Sequence, residues 1–362
     1  MFSRAFHLLP FLLFVGALLY GRVGVAASEG LAASEAAKAP HIALLLPTGS
    51  QVFARAAEAV RSGFIDASKK QSTSTPPVRL YAIGEDPQNV IASYRQALAA
   101  GAQLVVGPLT RNGVTVLAAA THLIAVPTLA LNVPERAVSN VPMLYILSLH
   151  VEDEARQVAQ LALSEGRRKA FTVNEYTPLA QRMREAFVDE FERGGGHHIA
   201  EYAYTTDGAV LERMRQAARL GVADMVFLAI DAARLRSVRT RMSTITAYGT
   251  SQLNPGTGIA AYTGEVADVR FLDMPWMVQP DHPAVMVYAR PGARENDDIE
   301  RLYALGIDAF RAAEDLLTGK RDIDIDGVTG RLKLGTDGRF RRGLLVTLID
   351  GSRLTVLGET RP

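Results

Sequence analysis

The residues of this sequence best equipped to bind or react stand at or just after the ends of apolar runs. Thr48, Gly49 and Ser50 follow His41–Pro47. Thr110, Arg111 and Asn112 follow Leu104–Leu109. Asn132 closes Val126–Asn132, Asn174 opens the triplet Asn174, Glu175 and Tyr176 at the end of another run, and Asp231 closes Met225–Asp231. Hydroxyls, amides and a few charges of this kind orient a small polar ligand. Each of them alone could equally cap a helix or satisfy a loop backbone. As a set they read as the lining of a ligand-binding cleft.

No stronger chemistry competes with that reading. The sequence has no G-x-S-x-G elbow, phosphate loop, H-E-x-x-H pair or G-x-G-x-x-G after a strand, so no catalytic residue and no cofactor is expected. Asp322-Ile-Asp-Ile-Asp-Gly327 opens like a calcium loop, but the twelfth position is Lys333 instead of a bidentate glutamate, and the residues after Gly327 have strand character. His197 and His198 are adjacent, so in a strand they face opposite sides and do not share a metal. No metal site is expected. Arg234, Arg236, Arg239 and Arg241 interleave with Leu235, Val238 and Met242 and read as the solvated face of a helix.

The elements that must position the polar set alternate strand and helix. The apolar runs at His41–Pro47, Val78–Gly84, Leu104–Leu109, Val126–Asn132 and Tyr145–Leu149 have the Val/Ile/Leu character of parallel strands buried on both faces. Amphipathic helices return the chain between them; Phe53, Ala57, Val60, Phe64 and Ala67 mark the first. The pattern resumes after Leu149 at Ala170–Asn174 and Met225–Asp231. The tail changes character: Arg331–Leu334 and Leu344–Ile349 flank turns at Thr336-Asp337-Gly338 and Asp350-Gly351, which predicts antiparallel hairpins. The fold class is therefore α/β, with two Rossmann-like lobes of parallel sheet, hinge crossovers and an antiparallel C-terminal hairpin. Ligands of open parallel sheets sit at the carboxyl ends of the strands, where the polar set lies.

Composition bounds the rest. Arg4, the apolar run Phe6–Tyr20 and the small residues Val25-Ala26-Ala27 predict a signal peptide over 1–27, followed by a disordered leader over 28–40. The remainder is long enough for two lobes, expected as 41–149 plus 275–318 and 150–274 plus 319–362. Links are expected near Leu149, along an extended Val269–Val278, and at Leu317–Asp322. A bound solute would close the lobes about them, with Trp276 reporting the motion. The 39 basic and 38 acidic side chains nearly balance, which argues against a nucleic-acid partner. The chain has no cysteine. Disulfides and thiolate metal sites are thereby excluded, and the expected mature form is periplasmic, not lipidated and without stable membrane insertion.

Several words are more specific. His41-Ile-Ala-Leu-Leu-Leu-Pro47, Leu104-Val-Val-Gly-Pro-Leu109, Glu152-Asp-Glu-Ala-Arg156, Val269-Arg-Phe-Leu-Asp-Met-Pro-Trp276, Arg301-Leu-Tyr-Ala-Leu-Gly-Ile-Asp-Ala-Phe310, Gly327-Val-Thr-Gly-Arg-Leu332 and Gly338-Arg-Phe-Arg-Arg342 occur in order. Together they resemble the carboxy-terminal domain of the penicillin-binding protein activator family, whose type I periplasmic-binding-protein-like fold is related to Leu/Ile/Val-binding receptors. That resemblance implies a non-enzymatic protein that regulates peptidoglycan synthesis by contacting a bifunctional penicillin-binding protein. Better-known members also carry a helical-repeat domain and a lipidated cysteine, which these residues do not include. The alternative is a soluble receptor delivering an amino acid or another small ligand to an ABC-type importer. The loops Pro108–Asn112 and Leu129–Asn132 offer it Thr110 and Asn132 in place of the usual pair of hydroxyls.

Overall fold

The computed structural model describes residues 38–362 apart from 71–74, 85, 87, 137, 139–140, 206, 243, 263 and 291–295. The expected signal peptide and nearly all of the expected leader lie outside the described residues. Among the described residues no helix is long and apolar enough to cross a membrane.

The first half runs β1 (His41–Leu46), α1 (Ala54–Ser68), β2 (Val78–Ala82), α2 (Gln88–Ala99), β3 (Ala102–Val106), α3 (Arg111–Ala119), β4 (Thr128–Ala130) and β5 (Leu144–Ile146). The strands form a parallel sheet in the order β2-β1-β3-β4-β5. All six residues of β1 are buried, because the sheet is covered on both faces. Ile42, Leu44 and Leu46 point to one core and Ala43 and Leu45 to the other, the period-two division of a strand.

The second half runs α4 (Val151–Ser164), β6 (Lys169–Asn174), α5 (Pro178–Arg193), β7 (His197–Ala203), α6 (Gly208–Arg219), β8 (Met225–Ala229), α7 (Ala232–Arg239), β9 (Thr246–Gly249) and β10 (Val269–Asp273). It builds a second sheet in the order β15-β14-β10-β9-β8-β6-β7. β6 to β10 pair in parallel, whereas the last two strands, β14 (Leu345–Asp350) and β15 (Arg353–Glu359), pair antiparallel at the edge. They form the expected C-terminal hairpin, turning at Gly351 in the left-handed region (φ 61°).

Between β10 and β14 the chain returns to the first lobe. It passes through α8 (Pro275–Val278), α9 (Pro283–Met286), α10 (Asp297–Leu317) and a three-stranded antiparallel sheet of β11 (Asp324–Gly327), β12 (Gly330–Leu334) and β13 (Phe340–Gly343). The reading of Val269–Val278 as wholly extended therefore holds only to Asp273. Pro275 at the start of α8 turns the chain into a helix and carries Trp276 into the first core. Residues 319–362 are divided. Ile323, Ile325, Val328, Leu332 and Phe340 join the first core, and β14 and β15 extend the second sheet. The links between lobes accordingly lie between β5 and α4, between β10 and α8, and between β13 and β14.

α10 is the spine of the first lobe and is buried along most of its 21 residues. It lies so close to α1 that a Cβ on Gly63 would stand 1.9 Å from the Tyr303 carbonyl oxygen, and one on Gly306 2.1 Å from that of Val60. Phe64 and Phe310 meet edge to face beside this contact, at 5.2 Å between ring centroids.

Candidate functional site

In the first lobe the strand order reverses between β1 and β3, and the chain leaves their carboxyl ends in opposite directions. A cavity of about 580 Å³ opens there, lined by Phe53, Ile83, Leu109 and Leu302 together with Thr110, Arg111, Asn112 and Asn132. The expected residues from the β3 and β4 ends are thus brought together. Most of their polar atoms shape the wall. Thr110 Oγ1 accepts the Gly113 N–H at 3.2 Å and caps α3. Asn132 Nδ2 donates to the Leu109 carbonyl at 3.0 Å, and its Oδ1 accepts the Val133 N–H at 2.9 Å. Thr48, Gly49 and Ser50 stand behind this wall. The Gly49 N–H bonds the Ile83 carbonyl, and Ser50 Oγ accepts the N–H groups of Val52 and Phe53.

In the second lobe the corresponding reversal falls between β6 and β8. Glu175 and Asp231 meet there. Glu175 Oε1 accepts the Asp231 N–H at 3.2 Å and lies 3.3 Å from Arg234 Nη1. Asp231 accepts the Arg234 N–H at 3.1 Å, capping α7, and also pairs with the Arg234 guanidinium. That guanidinium lies over the Tyr204 ring. Asn174 is buried and its Oδ1 has no hydrogen-bond partner. Tyr176 projects from the surface, 81% exposed. Each lobe gathers its own share of the expected set, and the cavity at the β1/β3 end is lined by the first lobe's share alone.

A charged contact carries the first lobe's share across to the second lobe. Arg111, at the start of α3, lies 3.7 Å from Glu152, at the start of α4. Arg182 of α5 donates to the same carboxylate at 2.7 Å, and His150 Nε2 lies 3.0 Å from its other oxygen. Burial pushes the Glu152 carboxyl up, but His150 and Arg182 outweigh it and hold it down at about 2. Burial likewise pushes His150 down, and Asp153 and Glu152 reverse that, so the imidazole titrates above its ordinary 6.5.

The residues that sequence reasoning missed lie beside the links, where buried charges pair from lobe to lobe. Arg301 of α10 reaches Asp273 of β10 at 3.0 Å and the Ser251 carbonyl at 3.1 Å. Asp273 also accepts from Asn254 Nδ2 at 2.7 Å. The Ser251 N–H donates to Glu154 of α4 at 3.1 Å, and Glu154 takes Arg342 of β13 at 3.2 Å. Arg342 completes the chain on the Thr329 carbonyl. Glu154, Asp273, Arg301 and Arg342 are all buried. Their signal was available: each falls inside one of the specific words, and Arg301 sits on the apolar stripe of its helix. Trp276, expected to sense closure, is fully buried in the first core, with its indole N–H on Glu300 at 2.9 Å.

Arg239 departs from the solvated-face reading. It is buried, and its guanidinium donates to the carbonyls of Met242, Ile245 and Ala267. Burial lowers it to about 10, so it stays charged at neutral pH. Asp324 pairs with Arg331, and Asp326 lies 3.6 Å from His282.

Comparison with known proteins adds the relatives. The family described as "LppC putative lipoprotein" matches residues 25–346. The penicillin-binding protein activator LpoA of Photobacterium profundum is 24% identical over 84% of this chain and 55% of its own. The chain spans about half the length of the curated relatives it matches. Among solved structures, one titled as a "putative branched-chain amino acid ABC transporter" from Chromobacterium violaceum is 40% identical over 85% of this chain and 99% of its own, with a TM-score of 0.70. The LpoA (YraM) C-domain from Haemophilus influenzae, titled a regulator of PBP1A, superposes with a TM-score of 0.73 at 22% identity, over 88% of this chain and 99% of its own. The fold is that of the periplasmic-binding-protein-like domains, with two parallel-sheet lobes and the antiparallel C-terminal strands.

Proposed function

The chain belongs to the LppC family, and from that premise we propose that it is a periplasmic regulator of peptidoglycan synthesis that acts by contacting a bifunctional penicillin-binding protein, without catalysis of its own. The observation that carries this reading is the family match over residues 25–346, together with curated relatives named penicillin-binding protein activator. The geometry supports it. The lobes are held together by buried ion pairs, and the polar residues at the strand ends are mostly engaged in shaping their own walls, which suits a scaffold that is recognised as a body. None of the 362 residues is a cysteine that could carry a thioether-linked lipid, so the proposed periplasmic form is not lipidated through this sequence.

One observation favours a second reading. The structure titled as a branched-chain amino acid transporter is 40% identical and matches this chain without an added domain, and the cavity at the β1/β3 end has the size and apolar character of a small-ligand site. Under that reading Thr110, Arg111, Asn112 and Asn132 from one lobe and Asn174, Glu175, Tyr176 and Asp231 from the other would hold a solute, with Thr48, Gly49 and Ser50 behind them. The deciding experiment adds the purified chain to a bifunctional penicillin-binding protein and follows glycan polymerisation. A faster rate and a stable complex support the regulator. An unchanged rate without a complex, together with a rise in melting temperature on adding a branched-chain amino acid, supports the receptor.

A further inference from the structure

A cavity of about 350 Å³ lies on the seam between the lobes, lined by residues separate from those at the strand ends. One wall is α4 of the second lobe, with Arg156 and Gln160. The other is the turn into β13 on the first-lobe side, with Asp337, Arg339 and Arg341. Arg342 lines it as well, and the C-terminal segment contributes Arg361. Five guanidinium groups thus face two side-chain carboxylates, Asp153 and Asp337, with Pro362 beside Arg361, in a chain whose acids and bases otherwise balance.

The pairing leaves positive charge over. Arg156 takes Asp153, Arg341 takes Asp337 at 3.1 Å, and Arg342 is turned to Glu154. The guanidinium groups of Arg339 and Arg361 make no ion pair or hydrogen bond among the described residues. Both are carried on anchored backbone. Ile146 of β5 donates to the Gly338 carbonyl at 3.0 Å and bridges to Arg339, and Phe340 beside it is buried. Thr360, next to Arg361, is tied to Gln157 of α4 and to the Leu344 backbone. Two unpaired forks on anchored backbone, in a concave site of small-ligand size, match the geometry of a planar or tetrahedral oxyanion.

We propose that this cavity is an oxyanion site for a small ligand bearing two or more carboxylate or phosphoryl groups, gripped by Arg339 from the first-lobe side and by Arg361 and Arg156 from the second-lobe side. Because its walls come from both lobes, the ligand fastens the seam without entering the strand-end cleft.

The test is calorimetric titration of the full chain with pyrophosphate and, separately, with citrate. Saturable binding of at least one probe is expected, and whichever binds more tightly assigns the ligand as phosphoryl or carboxylate. The affinity falls by about tenfold or more in Arg339→Gln/Arg361→Gln and by less in Arg339→Lys/Arg361→Lys, which keeps the charge and loses the fork. Arg111→Gln, in the strand-end cleft, leaves it unchanged. Melting curves compare the folding of each variant, and the lysine pair carries the test if the glutamine pair melts early. Failure of both probes to bind, unchanged affinity in the substituted pairs, or loss of binding in Arg111→Gln alone would overturn the proposal. None of these results depends on a penicillin-binding protein, so the regulatory reading stands or falls separately.

Discussion

The strand-end cleft and the seam beside the links both lie between the lobes, yet they use polar side chains in opposite ways. At the cleft, Asn132, Thr110, Glu175 and Asp231 bond within their own lobe and hold their own loops in shape. At the seam, Arg301–Asp273 and Arg342–Glu154 bond from lobe to lobe and are buried, with Ser251 joining the two pairs through its backbone. A buried charge left alone is strongly unfavourable, whereas a loop hydrogen bond can be exchanged for water. The seam therefore fixes how the lobes meet, and among the described residues the cleft walls touch through Arg111–Glu152.

The comparison breaks or sharpens in order of expected effect. Arg301→Ala strands the Asp273 carboxylate, which is fully buried as a side chain, and should lower stability by about 3–5 kcal/mol in urea unfolding. The paired change Arg301→Met/Asp273→Leu should restore much of that loss. A loss from Arg301→Ala no larger than that of a surface substitution would remove the distinction between seam and cleft. Glu154→Gln keeps the shape but weakens the bond to Arg342, and about 1–3 kcal/mol is expected by the same measurement. In the cleft, Asp231→Ala removes the cap of α7 and a solvent-facing pairing with Arg234, and about 1 kcal/mol is expected. Tyr176→Ser should stay within about 0.5 kcal/mol, since the ring is exposed.

The Arg111–Glu152 contact adds a dependence on pH. His150 has its folded pKa raised above 6.5 by Asp153 and Glu152, against burial. Its stabilising share is thus fully present below about pH 6.5 and is lost as pH rises through the folded value. Melting temperatures across that range should fall more steeply for the parent than for His150→Gln. Parallel curves would show that the imidazole carries no such share.

The lobes were legible because parallel strands covered on both faces leave unbroken apolar runs; His41–Leu46 and Met225–Ala229 read as strands on sight. β9 was harder. Its four residues, Thr246–Gly249, carry too short a pattern, and their complete burial is a tertiary property. The placement of strand-end residues followed from the fold, so Thr110, Arg111, Asn112 and Asn132 came out on one wall. What they do there was not legible, because a cap and a ligand group use the same residue types. The seam residues stood in recognisable words, but which of them pair was not legible. Glu154 and Arg342 fall in two separate words, Glu152–Arg156 and Gly338–Arg342, and their pairing joins residues 188 apart in sequence. Arg239 shows the same limit, since a helical arginine run does not say which member turns inward to three carbonyls.

The claim that the seam fixes the lobes can be measured directly, because the chain has no cysteine and accepts a clean pair of labels. Phe53 and Tyr176 are exposed and stand one on each lobe. Spin labels on Phe53→Cys/Tyr176→Cys should give one narrow interlobe distance by pulsed electron resonance, and the distribution should broaden when Arg301→Ala is added. A broad or two-peaked distribution in the parent, or one that Arg301→Ala leaves unaltered, would contradict a seam held by buried charge.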